Sequence, residues 1–224
     1  MIDRLYLFFL EQRQRYKKYF NGPAKSVSLP RNCGNDMEDL EMMTLSALLL
    51  DRDGVVNEQI VDGYVMQWED FVFKEGVFEA LRLLRGKCDR MLLVTNQQCV
   101  GKGLCSMEDI ELIHARMQAE LREHASAFDR IYCCPHLAAE NCSCRKPRPG
   151  MAMRAFADYP DIVPARSVMV GDSLSDMRFA QNAGLIPVHV GAKRDLEFNE
   201  IQKITQYHFE TLFDFARYLH TPQL

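Results

Sequence analysis

From Leu45 onward, short apolar runs are followed by polar clusters and then by amphipathic stretches. Leu48-Leu49-Leu50, Met91-Leu92-Leu93-Val94, Ile131-Tyr132-Cys133, Val168-Met169-Val170 and Ile186-Pro187-Val188 read as strands. Residues 76–86, 106–123, 149–158, 174–183 and 208–219 carry helical spacing between and after them. This alternation predicts an α/β fold, a central parallel sheet with helices on both faces. In an open parallel sheet ligands bind at the carboxyl ends of the strands, so the residues just after each apolar run are the ones to read for chemistry.

A chain of 224 residues has room for one well-buried core and a small appendage. With 47% apolar and 26% charged residues it excludes disorder, collagen-like repeats and a disulfide scaffold. The formal charge of −4 is uneven: residues 1–31 hold seven Lys or Arg against two acids, which leaves about −9 on the remainder. An acidic body gives no support to nucleic-acid binding, and it would repel an anionic substrate unless a local cationic site or a bound metal received it. No run of about 18 apolar residues exists, and Leu5-Tyr6-Leu7-Phe8-Phe9-Leu10 is too short and wrongly flanked for a spanning helix or a secretion signal. A cytoplasmic protein without membrane contact is expected.

Residues 1–20 read as a short cationic helix broken by Asn21-Gly22-Pro23, and residues 21–45 as a turn-rich linker ending in the acidic run from Asp36 to Glu41. Residues 1–45 are therefore set apart as an N-terminal extension or linker, ordered or disordered, and residues 46–224 form the body. A loosely packed extension, or a true start at Met42 or Met43, is preferred to a surface-bound amphipathic anchor.

Asp51-Arg52-Asp53-Gly54 follows the first strand directly. Two carboxylates one residue apart can face one reaction centre. One attacks phosphorus; the other, if protonated, donates to the leaving oxygen and later activates water. Taken alone, the same residues would suit a polar turn. The second strand ends in Thr95-Asn96-Gln97, where a hydroxyl can hold a phosphoryl oxygen or merely cap the chain. The fourth ends in Gly171-Asp172-Ser173-Leu174-Ser175-Asp176, so Asp51, Asp53 and Asp172 could make an oxygen-rich Mg2+ site, with helix capping as the competing role of Asp172 and Asp176. Arg145-Lys146-Pro147 opens a helix, and a lysine beside several carboxylates would neutralise phosphoryl oxygens while the guanidinium grips a second phosphate.

Of the eight cysteines, three crowd with a histidine between Cys134 and Cys144. Cys134, His136, Cys142 and Cys144 suffice for a closed tetrahedral Zn2+ site, which argues for structure over catalysis, with Cys133 left as a strand residue. Such a clip would order the loop that delivers Arg145 and Lys146.

In combination and order, Asp51-Arg52-Asp53-Gly54, Thr95, Lys146 and Gly171-Asp172 with Asp176 resemble the four motifs of the haloacid dehalogenase superfamily. Asn57, Gly63-Tyr64-Val65, Val94-Thr95-Asn96-Gln97, Tyr132, Cys134-Pro135-His136, Cys142-x-Cys144-Arg145-Lys146-Pro147 with Pro149-Gly150-Met151, and Met169-Val170-Gly171-Asp172 narrow the resemblance. They are similar to the branch of D-glycero-D-manno-heptose 1,7-bisphosphate 7-phosphatases and histidinol-phosphate phosphatases, over roughly residues 47 to 190. The resemblance implies a Rossmann-like fold with a minimal cap and a zinc loop. It makes Asp51 the nucleophile and Asp53 the general acid and base. Asp172 becomes a Mg2+ ligand beside Asp51 and the Asp53 backbone carbonyl, and Thr95 and Lys146 steady the transferring group. Arg145 would recognise the phosphate that stays, while Gly63, Tyr64, Asn96, Gln97 and Gln98 line the pocket of a small phosphorylated sugar.

Val55, Lys102 and Ser173 depart from the threonine, arginine and lysine found at these places in heptose enzymes. Two extra residues lie between Asn57 and Tyr64, and the five-residue gap between His136 and Cys142 is closer to the histidinol-phosphate pattern. That enzyme is the alternative reading, and a non-catalytic zinc-containing binding module that kept the fold is a remoter one. A DNA-end phosphatase shares Thr-Asn-Gln and Arg-Lys-Pro, but the acidic body and the lack of a basic aromatic stripe speak against it. A monomer is expected.

Overall fold

A computed structural model describes residues 44–192, 197–205 and 207–220. The cationic helix expected over residues 1–20 and nearly all of the linker to residue 45 lie outside the described residues. Six parallel strands form one sheet in the order β3-β2-β1-β4-β5-β6. They are β1 (Leu45–Leu50), β2 (Cys88–Asn96), β3 (Arg130–Cys134), β4 (Ser167–Gly171), β5 (Ile186–Val190) and β6 (His208–Phe209). The helices are α1 (Val77–Arg85), α2 (Gln98–Gly101), α3 (Met107–Glu123), α4 (Gly150–Asp158), α5 (Leu174–Ala183), α6 (Phe198–Ile201) and α7 (Leu212–Tyr218).

The continuous apolar runs are explained by burial on both sides, since all six residues of β1 are buried. Leu48 and Leu50 join a core made with α1, α3 and α7, whereas Ala47 and Leu49 join a second core made with α4 and α5. Successive strand side chains point to opposite faces, so one sheet feeds both cores. Each fully buried leucine contributes roughly 1.5–3 kcal/mol through that burial.

The five strands read from the sequence are present, and so are helices close to four of the five predicted ranges. The last range, 208–219, is corrected: His208 and Phe209 are a strand, and the helix begins at Leu212. His189 donates its N–H to the Tyr207 carbonyl at 2.9 Å and Gly191 to that of Phe209 at 3.0 Å, so sheet pairing claims this segment. Thr211 then starts the helix by accepting from the Asp214 N–H. Between β1 and α1 there is no cap domain, only a loop with one 3-10 turn, Trp68–Asp70, and bridges pairing Asn57 with Asp53 and Phe73. Among the described residues no helix is long and apolar enough to cross a membrane.

Candidate active site

Parallel register brings the strand ends into one row. Leu50 pairs with Leu93 of β2 and Val170 of β4, and Asn96 pairs with Cys134 of β3. Asp51, Asn96 and Asp172 therefore leave the sheet along the same edge. Asp51 continues the ladder by donating its N–H to the Val170 carbonyl at 3.0 Å.

Lys146 stands at the centre. Its Nζ lies 2.8 Å from Asp51 Oδ1 and 2.7 Å from Asp176 Oδ1, and it donates to the Val94 carbonyl at 3.0 Å. The side chain is only 2% exposed, so its charge is balanced almost wholly by these carboxylates. The Lys146 backbone is held in turn by Asn96, whose Oδ1 accepts from the Lys146 N–H at 3.0 Å and whose Nδ2 donates to the Lys146 carbonyl at 3.2 Å. Asn96, expected to line the pocket, thus clamps the lysine loop.

Asp51 Oδ1 also accepts the Arg52 N–H at 2.7 Å. Among the described residues no hydrogen bond falls on Oδ2. Burial, opposed by Lys146 and assisted by Asp176 and Asp53, pushes the Asp51 carboxyl up to about 7. Burial and the charges of Asp176 and Asp51 likewise hold Asp172 well above the usual carboxylate range. Asp51, Asp172 and Asp176 each offer an oxygen, all within 4.8 Å of one another. A cluster of acids whose protons are retained by burial and by one another's charge is the donor set that a hard divalent cation satisfies. The residues present fit magnesium.

Asp176 was absent from the metal ligands read in the sequence. Its Oδ2 accepts from Ser173 Oγ at 2.6 Å and from the Ser173 N–H at 3.2 Å, closing a capping box on α5, while Oδ1 meets Lys146. Capping and site construction, posed as alternatives, are performed by the two oxygens of one carboxylate. Gly54 makes room for the cluster: at φ +86° it adopts a backbone that L side chains rarely take, and a Cβ there would stand 1.9 Å from Asp172 Oδ2.

Asp53 is not one of the three clustered acids and is held by other partners. Its carboxylate accepts from Arg52 Nε at 3.2 Å and Nη2 at 2.9 and 3.1 Å, from Asn57 Nδ2 at 2.9 Å and from Gln97 Nε2 at 2.7 Å. Burial alone would raise its carboxyl, but the Arg52 charge and these donors hold it below the usual range. Gln97, expected in the pocket lining, is buried and also donates to Thr95 Oγ1 at 2.8 Å while its Oε1 accepts from Arg52 at 3.1 Å. Its amide supports Asp53 and Thr95 and presents no free group to a ligand. Thr95 itself is wholly buried beside it. The charged residue missed here was Arg52, embedded in a motif whose flanking aspartates drew the reading.

Gln98 does reach outward. It donates to the Tyr64 hydroxyl at 2.9 Å and accepts from Arg145 Nη2 at 3.2 Å, and Lys102 Nζ donates to the same hydroxyl at 2.8 Å. Two cations, a phenol and an amide from three loops thereby form one half-exposed, anion-complementary surface. Gly63 turns the chain into Tyr64 by donating its N–H to the Ile60 carbonyl at 3.1 Å.

The loop of three cysteines and a histidine is gathered into one cluster that could hold a metal ion. Cys134, His136, Cys142 and Cys144 offer Sγ and Nδ1 atoms all within 4.8 Å of one another, five of the six pairs at 3.3–3.6 Å. The edge of a tetrahedron with Zn–S bonds of about 2.3 Å is about 3.8 Å, so these spacings are close to those a four-coordinate ion of that size requires. Although burial opposes it, the Arg145 N–H and neighbouring thiols bring the Cys142 thiol down to about 7, toward the thiolate that a metal binds. The loop leads straight into Arg145, whose Nη1 donates to the His136 carbonyl at 3.3 Å.

Comparison with known proteins places this geometry. The profile of the HAD-hydrolase-like family matches residues 143–211. The D-glycero-alpha-D-manno-heptose-1,7-bisphosphate 7-phosphatase of Mycobacterium tuberculosis is 38% identical over 171 residues, 75% of this chain and 88% of that protein. The D-glycero-beta-D-manno-heptose-1,7-bisphosphate 7-phosphatase of Helicobacter pylori is 41% identical over 143 residues, 63% of this chain and 81% of that protein. The crystal structure of D,D-heptose 1,7-bisphosphate phosphatase from B. bronchiseptica, complexed with magnesium and phosphate, superposes with a TM-score of 0.69 at 30% identity, covering 79% of this chain and 98% of that one. With the four motifs gathered at one sheet edge and relatives of this similarity matched over most of their length, the chain belongs to the heptose-1,7-bisphosphate 7-phosphatase family of haloacid dehalogenase-like hydrolases.

Proposed function

We propose that this chain hydrolyses the 7-phosphate of D-glycero-D-manno-heptose 1,7-bisphosphate through an aspartyl-phosphate on Asp51. The observation that carries the reading is Lys146 held between Asp51 and Asp176 at 2.8 and 2.7 Å, with Asp172 in the same cluster. Asp51 attacks phosphorus, the P–O bond to the sugar breaks, and Asp53 gives its proton to the departing alkoxide. Water then attacks the acyl phosphate, Asp53 takes the water's proton, and phosphate and free Asp51 result. At rest Arg52 keeps Asp53 ionised; the negative charge of an arriving phosphate raises its proton affinity so that it takes a proton from solvent, gives it to the alkoxide, and returns to solvent the one gained from water when phosphate leaves. Asp51, Asp172 and Asp176 with the Asp53 backbone carbonyl would hold magnesium, which neutralises charge developing on the phosphoryl group. Cys134, His136, Cys142 and Cys144 would hold structural zinc.

The Arg145–Gln98–Tyr64–Lys102 surface supports a substrate with a second anionic group, and the relatives' names supply the sugar. The five-residue gap between His136 and Cys142 keeps histidinol phosphate as the second reading. Initial rates with magnesium separate them. The heptose bisphosphate is expected to exceed histidinol phosphate in kcat/KM by at least about tenfold. The reverse order would overturn the first reading. Arg145→Ala is expected to raise KM for the bisphosphate by about 10- to 100-fold, the worth of a lost charge-assisted pair, while leaving turnover of a monophosphate unchanged.

Metal binding should show in stability. Asp51, raised from 3.8 to about 7, binds more proton folded than unfolded, so its contribution is present below its unfolded value and lost as pH rises through about 7. Magnesium binds the deprotonated acids. The increase in Tm on adding magnesium is therefore expected to be small near about pH 5 and to grow toward about pH 8. An increment independent of pH would remove these carboxylates as the ligands.

A further inference from the structure

One polar residue interrupts the buried stripe of α3. Its inward face is Ile110, Ile113, His114, Met117 and Leu121, and His114 is 6% exposed. It is not idle there. Arg52 Nη1 lies 3.2 Å from His114 Nε2, and since a guanidinium can only donate, Nε2 must accept and the ring is neutral with its proton on Nδ1. Burial first, and the Arg52 charge second, hold the imidazole down at about 3, so this tautomer persists through the working pH range.

Arg52 is wholly buried, its Nε and Nη2 donate to Asp53 and Gln97, and its guanidinium lies 6.0 Å from the centre of the Phe71 ring. A buried guanidinium with an unpaired N–H would rotate toward any acceptor it could find, and the Asp53 carboxylate would rotate with it. An apolar side chain at position 114 would complete the helix stripe equally well for packing, but it would leave Nη1 without the lone pair that now fixes it.

We infer that His114 is a positioning residue for the acid-base step: its Nε2 lone pair fixes the Arg52 guanidinium, which fixes the plane of the Asp53 carboxylate. This rests on the reading of Asp53 as general acid and base. A proton delivered to a leaving oxygen requires the carboxylate within hydrogen-bond reach and aligned, and that alignment is set through Arg52 from α3.

The test uses leaving-group dependence. A sugar alkoxide departs only with a proton, whereas p-nitrophenolate leaves without help, so misplacing Asp53 should lower kcat/KM for the first and spare it for the second; kcat/KM ends at leaving-group departure and excludes the acyl-phosphate hydrolysis that both substrates share. His114→Leu in the full chain with magnesium is expected to lower kcat/KM for the heptose bisphosphate by about 10- to 100-fold, with KM little changed, and to leave p-nitrophenyl phosphate within about twofold of the unmutated protein. His114→Gln, whose Oε1 can accept from Arg52, should restore the bisphosphate rate to within about threefold. Because the two substrates are compared in one sample, the folded fraction cancels, and His114→Met serves if the leucine variant does not fold. Equal losses on both substrates, or no loss on either, would overturn the inference. Failure of the unmutated protein to turn over both substrates would instead overturn the phosphatase reading on which it rests.

Discussion

Asp51→Asn is expected to reduce turnover of any phosphomonoester by about 10⁴-fold or more while leaving the fold intact. The amide keeps an oxygen that can accept from Lys146 Nζ, now at 2.8 Å, and from the Arg52 N–H at 2.7 Å, so the local geometry survives. What disappears is the anionic oxygen that forms the bond to phosphorus. The substitution also removes one of three mutually repelling acids, so Tm in the absence of magnesium is expected to stay level or to rise. Steady-state rates, thermal melting and intact mass after brief exposure to substrate check all three points. Substantial residual turnover, or a covalent phosphate on the variant, would rule out the aspartyl-phosphate route.

Lys146→Met should damage stability and rate together, and that pairing separates it from the aspartate variant. Lys146 is the cation on which two carboxylates close, Asp176 wholly inaccessible and Asp51 14% exposed. Burial alone would make the lysine easier to deprotonate, yet Asp176 and Asp51 more than reverse this and raise it above its ordinary value, so it is charged throughout the working range. Removing one partner from a buried pair leaves the other charge unpaired, which costs about 3–5 kcal/mol. For a chain of this size that corresponds to a fall in Tm on the order of 10 °C. Turnover should fall by about 10²- to 10³-fold, because a preorganised cation facing the phosphoryl oxygens has been lost. Magnesium should restore part of the Tm and little of the rate, since it neutralises the acids without replacing the lysine's contact. A variant as stable as the parent would show that Lys146 is not the charge on which the cluster depends.

The legible parts of this protein are those whose physics is local or periodic. Five apolar runs predicted five strands because a strand buried on both faces, such as the run 47–50 of β1, is apolar on both. Helix α5 was bounded correctly at 174–183, its entrance fixed by Ser173 and Asp176 and its exit by Gly184 at φ +71°. Thr211 with Asp214 offered the same entrance signal for α7, and reading it would have moved that helix start past His208. The two-residue strand β6 gave no signal because two residues carry no period and its pairing is made by backbone alone.

The amides after β2 divide along the same line. Asn96, Gln97 and Gln98 are adjacent and chemically alike, and all three read as pocket lining. In the structure one clamps Lys146, one braces Asp53 and Thr95, and one joins Arg145 to Tyr64. Strand alternation and the turn into α2 aim them differently, and each job is defined by a partner 34 to 50 residues away.

By itself the sequence determined the sheet, its two buried faces and the chemical groups that leave its carboxyl edge, because those follow from periodicity and from residue type. Tertiary structure alone decided how the groups are shared out: Asp176 joining Asp51 and Asp172, Asp53 turned onto Arg52, and His114 reaching Arg52 from another helix. The reason is that a carboxylate's role is set by the charge and donors within a few ångströms of it, and here several deciding neighbours, Lys146 beside Asp51 and Asp176, Gln97 on Asp53 and His114 on Arg52, come from distant segments that only the fold brings together.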